Sequence, residues 1–232
     1  MNSTRVTPFG DSALLVESDA PHVTQRWEAA HRLGASLRAS TPPGVEGIIA
    51  TFDTLVVEFD PLRTDVAELT SRLLAESAAP ARGAAPGREW VIPILYGGDA
   101  GPDMVAVADE LGMTPDDFVD QHSSASWRVA FNGAPGGAPL HEGSPFASSI
   151  RRRPEPRIRI PAGSLAVAGH QGTFYTIPAP GGWRLIGRTP LRLIAPERPE
   201  FVAIQPGDVL RFRPISAAEF AATKPEFVGS RQ

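Results

Sequence analysis

A chain of 232 residues, 42% hydrophobic and 21% charged, suits one large or two small soluble domains with a real core, and its net charge of −4 argues against a nucleic-acid binder. It contains no cysteine, which excludes disulfides, thiolate catalysis and cysteine-based zinc or iron–sulfur sites, and which fits a cytoplasmic protein. No run approaches the roughly 18 apolar residues of a membrane span, and the first residues lack the apolar stretch of an export signal, so neither membrane insertion nor secretion is expected.

In chain order, "RVTPFGDSALLVES" reads as a strand with Leu14 and Val16 on one face and a turn or bulge at Gly10-Asp11. "PHVTQRWEAAHRLGASLRAS" places Val23, Trp27, Ala30, Gly34 and Leu37 on one helical stripe. "VEGIIATF" and "TLVVEFD" are two strands around Asp53-Thr54, and "PLRTDVAELTSRLLAES" sets Leu62, Val66, Leu69 and Leu73 at helical spacing. With "EWVIPILY" as a last strand, this order becomes the split βαβ pattern of a ferredoxin-like layer, although that strand could equally open the next domain. The Ala/Pro/Gly-rich stretch before it has no periodicity and marks a boundary, so the expected limits are 1–80, a linker at 81–88, and 89–232.

"YGGDAGPDMVAVADELGM" is a glycine turn entering a helix, and "TPDDFVDQHS" is a second short helix capped by Thr114. From Trp127 onward the texture changes to short strands between Gly/Pro turns: "WRVAFNG", "PRIRIP", "SLAVAG", "GTFYTIP", "WRLIGRTPLRLI" and "DVLRFRPI". Such spacing implies a β-barrel or sandwich. In "PRIRIP", Arg157 and Arg159 should face water while Ile158 and Ile160 are buried. In "GGWRLIGRTP", strict alternation puts Trp183 and Arg188 on opposite faces unless a bulge intervenes, for which Gly187 is a plausible place. The tail "SAAEFAATKPEF" reads as a short helix.

Lys224 is the sole lysine and lies in a context unlike a P-loop or a biotin carrier, so an anion must be met by arginine, backbone N–H groups or a partner chain. The glycine turn 96–103 could cradle an anion, though tight turns need glycine in any case. Of the arginines in "SSIRRRPEPRIRIP", Arg157 opens a barrel strand and is the better anion ligand. No histidine pair has metal-ligand spacing; His122, near a helix end, either stabilises that end or acts as acid or base. No serine sits in a nucleophile elbow.

The stretch Arg157–Ile215 then carries a set of ordered motifs: Ile160–Ser164 (IPAGS), Gly169–Gln171 with Tyr175, Pro180–Trp183 (PGGW), Ile186–Pro190 (IGRTP) and Pro206–Asp208 (PGD). It resembles the allophanate hydrolase subunit 1 family, whose members are also called B-type subunits of 5-oxoprolinase and which includes a bacterial histidine-kinase inhibitor of sporulation. "GDSALLVE" and "IPILYGGDAGPD" extend the resemblance to essentially the whole chain, while "GAPGGAPLHEG" departs from the family pattern. The resemblance implies an α+β chain: a ferredoxin-like α/β layer followed by a cyclophilin-like β-barrel. It further implies a cytoplasmic heteromer with a larger second subunit, of the allophanate hydrolase subunit 2 or C-type 5-oxoprolinase kind, related to the carboxyltransferase part of urea carboxylase.

The activity so implied is ATP-dependent hydrolysis of an amide or lactam C–N bond. ATP would be bound through the complex, with no metal or biotin site in this chain. Carried over by position, the implied catalytic residues are His122, Gln171 and Arg188, and the substrate-binding residues are Arg157, Tyr175, Trp183 and Thr189. The same resemblance leaves open a regulatory module that inhibits a histidine kinase, and the carboxyltransferase half of a biotin-dependent carboxylase.

Overall fold

The structure, a computed structural model, describes residues 3–79, 87–198 and 201–230. The chain divides into two compact units, Met1–Ala85 and Pro86–Gln232. The linker expected at 81–88 therefore lies, up to residue 86, outside the described residues.

The first unit is a four-stranded antiparallel sheet with two helices. Its elements are β1 (Thr4–Pro8), β2 (Ala13–Ser18), α1 (Val23–Ala39), β3 (Val45–Ala50), β4 (Thr54–Phe59) and α2 (Val66–Ala78), and the strand order is β1-β2-β4-β3. Alternation decides which face is covered: Leu14 and Val16 of β2, and Leu55, Val57 and Phe59 of β4, are buried with Leu33 and Leu37 of α1. The segment read as one strand is a hairpin, closed by the Phe9 N–H donating to the Ala13 carbonyl at 2.8 Å. Its first arm, β1, takes the sheet edge that "EWVIPILY" would have filled.

The stripe expected over Leu62–Leu73 shrinks to Leu69 and Leu73, because Leu62 is 94% exposed and Val66 is also exposed. Asp60 turns the chain there, its carboxylate accepting from the Leu62 N–H at 2.9 Å, and the helix begins only after Asp65 caps the Ala67 and Glu68 N–H groups.

In the second unit, β5 (Glu89–Tyr96), β6 (Trp127–Gly133), β7 (Ala138–Glu142), β9 (Ser164–Ala168), β10 (Gln171–Phe174), β12 (Arg184–Arg188) and β13 (Val209–Pro214) close into a barrel in the order β10-β7-β6-β13-β5-β12-β9. Closure gives each of these strands a neighbour on both sides. "EWVIPILY" is thus a barrel strand, paired in parallel with β13. Inward residues at period two (Ile92 and Ile94, Trp127 and Val129, Leu165 and Val167, Leu210 and Phe212) fill the barrel core. Helices α3 (Met104–Glu110) and α4 (Pro115–Ser124) contribute Val107, Ala108 and Phe118 to it.

β8 (Arg157–Ile160) and β11 (Ala179–Gly181) form a separate two-stranded arm. Beneath it lies a small second core of Ile160, Ala166 and Leu185, against which Tyr175 and Trp183 pack. The expected burial of Ile158 fails, since that side chain is 93% exposed. A strand with a single neighbour is covered only where the arm lies on the barrel, and Ile160 alone reaches it.

A bulge does interrupt β12, at Ile186 rather than at Gly187. Leu185 pairs with Ala166 and Gly187 with Leu165, so Ile186 is the extra residue. Its carbonyl accepts from the Gly97 N–H at 3.1 Å, and a Cβ on Gly101 would meet it at 2.1 Å. The glycine turn is therefore folded onto the bulge.

Candidate functional site

The bulge aims Arg188 at the turn before β9. Arg188 pairs with Ser164, and its Nε donates to the Ala162 carbonyl at 3.0 Å. The turn needs Gly163, whose φ of +83° is left-handed and at which a Cβ would approach the Thr189 carbonyl to 2.8 Å. The Gly163 N–H donates to the Tyr175 carbonyl at 2.7 Å, the Tyr175 N–H to the Ser164 carbonyl at 2.9 Å, and the Thr189 N–H to the Gly163 carbonyl at 3.0 Å. Three stretches far apart in sequence, IPAGS, Tyr175 and IGRTP, are thereby locked at one point.

That point opens into a groove of about 590 Å³. Arg188, Thr189 and Gly163 line it, with Leu191 and Leu193 as apolar walls and Phe220 and Thr223 opposite. The two terminal nitrogens of Arg188 have no hydrogen-bond or ion-pair partner among the described residues. Thr189 is buried, and its hydroxyl oxygen accepts from the Leu191 N–H at 3.2 Å, which shapes the wall. A permanently charged fork, in a cleft whose other charged lining residue, Arg192, is also a cation, can hold a small carboxylate or phosphate. A cleft of about 630 Å³ in the first unit is lined by Glu46, Glu58 and Asp60. It would repel such an anion.

Arg157 stands elsewhere. Its guanidinium makes a bidentate pair with Asp103, at 2.8 and 3.0 Å, and Arg153 donates to the same carboxylate at 3.0 Å. Asp103 is 4% exposed and also accepts from the Leu185 N–H at 2.8 Å. Burial alone would raise its carboxyl pKa, but these hydrogen bonds and the charges of Arg157 and Arg153 outweigh burial and hold it below the ordinary value. Arg151 and Arg184 meet Glu110 at 3.1 and 3.5 Å. Arg152 lies over the Trp183 ring at 5.6 Å. The basic loop is thus stitched to α3 and β12, with Tyr175 and Trp183 beneath the arm.

His122 is wholly buried in the barrel core. Its Nδ1 lies 2.9 Å from the Tyr96 hydroxyl, and its ring is stacked on Phe212 at 5.1 Å and tilted against Trp127 at 4.8 Å. Burial, and secondarily the nearby His141, push its pKa well below the usual histidine value. His141 is equally buried, and burial lowers its pKa to about 3. Both Nε2 atoms lack a hydrogen-bond partner among the described residues. Gln171 begins β10, opposite Ala168 and Glu142, at the end of that strand away from Tyr175. The fold therefore brings Arg188 and Thr189 together beside the Tyr175 backbone, groups Arg157, Tyr175 and Trp183 at the arm, and keeps His122 and Gln171 apart from both.

Sequence reasoning missed Asp103 and His141. The only signal for Asp103 was its place before a helix, and its partners lie 50 or more residues away. Asp208, which ends the PGD motif, proves to be a buried knot: it accepts from the Trp90 indole at 2.7 Å and from the Arg88 and Gln205 N–H groups, each at 2.9 Å. Among the described residues, no group of three or more His, Asp or Glu side chains could hold a metal ion, and no helix is long and apolar enough to cross a membrane.

Residues 4–204 match the family described as carboxyltransferase domain, subdomain C and D. A protein of Escherichia coli O157:H7, named as the B-type subunit of 5-oxoprolinase, is 35% identical over 92% of this chain and 97% of its own length. Its namesake in Bacillus subtilis (strain 168) is 30% identical over 96% of this chain and 97% of its own. A conserved uncharacterized protein from Pyrococcus horikoshii superposes with a TM-score of 0.54 at 33% identity, covering 93% of this chain and 100% of that one. The urea amidolyase of Kluyveromyces lactis superposes at 0.74 over 94% of this chain and 15% of its own; at 17% identity this likeness concerns the fold alone.

Proposed function

This chain belongs to the carboxyltransferase-domain family, among the proteins named as B-type subunits of 5-oxoprolinase, and from that premise we propose that it is one component of an ATP-dependent amide or lactam hydrolase of the 5-oxoprolinase type. The observation that carries the reading is the free fork of Arg188 in a groove with no acidic residue among the described residues that line it. 5-Oxoproline is a carboxylate on a small uncharged lactam ring. Its carboxylate pairs with the two terminal nitrogens of Arg188, and its ring rests on the apolar wall formed by Leu191 and Leu193. Thr189 and Gly163 hold the fork in place, while Arg157, Tyr175 and Trp183 act through the arm beside it. Water then opens the ring C–N bond to give glutamate, with ATP as the driving force.

ATP is assigned to the larger partner subunit. In the glycine turn, the segment most like a phosphate cradle, three N–H groups already have acceptors in the chain: Gly97 donates to Ile186 at 3.1 Å, Gly101 to Gly97 at 2.8 Å and Asp103 to Leu185 at 2.9 Å. The heteromer is read as cytoplasmic, with the linker between the two units of this chain at 81–88.

Co-expression with the second subunit is expected to yield a complex that releases glutamate only when both 5-oxoproline and ATP are present. Arg188→Ala should raise KM for 5-oxoproline roughly 10- to 100-fold, the worth of a charged hydrogen-bond pair. Glutamate release unchanged when this chain is omitted would overturn the proposal.

A further inference from the structure

The groove has two walls of different origin. One comes from the barrel and its turns; the other comes from the segment after the last barrel strand, with Phe220, Ala221, Thr223 and Pro225 facing Arg188 and Leu193. The family match ends at residue 204, so this second wall lies beyond it. It is nonetheless firmly placed. Arg192 donates its N–H to the Glu226 carbonyl and accepts from the Val228 N–H, both at 2.9 Å, and Phe227 and Val228 are buried. The helix α5 (Ala217–Ala222), capped by Ser216, buries none of its own residues.

We infer that this C-terminal wall decides which carboxylates the groove accepts, selecting a small ligand with an uncharged body; the inference rests on the groove being the substrate site proposed above. Both charged lining residues lie on the barrel side: Arg188, with two terminal nitrogens unpaired among the described residues, and Arg192, whose Nη2 is matched with Glu197 at 2.7 Å. The facing residues, Phe220, Ala221, Thr223 and Pro225, are all neutral. A lactam acid places its one charge on Arg188 and its ring between Leu191, Leu193 and these tail residues. The opened product carries a second carboxylate and an ammonium, for which the tail residues offer no counter-charge. The wall therefore favours the cyclic substrate over its own hydrolysis product and promotes release after ring opening.

The test is calorimetric titration of the full chain with 5-oxoproline and with glutamate, on wild type, Arg188→Ala, Ala221→Trp and Thr223→Arg. The expected result is at least a ~10-fold preference for 5-oxoproline, the scale of one unpaired charged group. Ala221→Trp should weaken 5-oxoproline binding about 10-fold or more, and Thr223→Arg should narrow the preference by placing a cation on the tail wall. Neither should move the melting temperature, because α5 contributes no buried residue. If Arg188→Ala abolishes binding while both tail variants behave as wild type, the selecting role of the tail is refuted and the groove stands. If wild type does not bind 5-oxoproline, or Arg188→Ala binds it equally well, the groove reading fails and this inference fails with it.

Discussion

Around Asp103, the guanidiniums of Arg153 and Arg157 are matched by a carboxylate of the same chain that is 4% exposed. Arg188, one strand-length from the Leu185 N–H that completes that network, keeps two nitrogens without a partner among the described residues. The same residue type thus does opposite work in two parts of one barrel. Arginine with an internal counter-charge fastens an arm to its support, whereas arginine left unmatched at a cleft is available to a ligand. Composition cannot separate these roles, since the difference lies entirely in whether a carboxylate from elsewhere in the chain arrives.

The largest expected effect comes from removing that carboxylate. Asp103→Ala removes the carboxylate that pairs both guanidiniums and leaves the Leu185 N–H without its acceptor, and should lower stability by roughly 3 kcal/mol in denaturant titration. A midpoint equal to wild type would show that the arm is not held by this carboxylate, and the contrast with Arg188 would collapse.

A second test uses pH on the barrel core. His122 and His141 have folded pKa values below the unfolded one, so the unfolded chain binds protons first as pH falls. Their contribution is complete above about pH 6.5 and is lost progressively below it; for His141 the loss is about 1.4 kcal/mol per pH unit down to its folded value near 3. Asp103, with its lowered pKa, adds a further loss only below about pH 4. Melting temperatures should therefore fall steadily from about pH 7 to about pH 4.5, and His141→Gln should flatten the slope by removing one titrating group. A melting temperature independent of pH across that range would contradict neutral burial of the pair.

The smallest stability effect belongs to Arg188→Ala. It deletes one hydrogen bond, to the Ala162 carbonyl, and should cost no more than about 1 kcal/mol. A loss as large as that of Asp103→Ala would make Arg188 a structural arginine like Arg157 and would end the comparison.

Much of the barrel was legible in the sequence because period-two alternation and Gly/Pro turns are local signals. β5, β6, β9 and β13 all fall where those patterns placed them. A bulge in β12 was raised only as the alternative to strict alternation, at Gly187; that it occurs, and at Ile186, came from the barrel pairing. Ile158 was misread because alternation predicts which residues share a face, not whether anything covers that face. β7 was missed because "APLHE" is short, carries proline and buries a histidine.

Residue pattern and composition by themselves determined the kinds of elements, the barrel and the family. These depend on neighbours within a few residues or on ordered motifs. Only the tertiary structure decided which arginines are neutralised, that His122 is sealed in the core, and that the C-terminal segment walls the groove. Each of those outcomes rests on contacts across tens of residues, where burial and pairing are set by what the closed barrel brings together and by nothing in the local sequence.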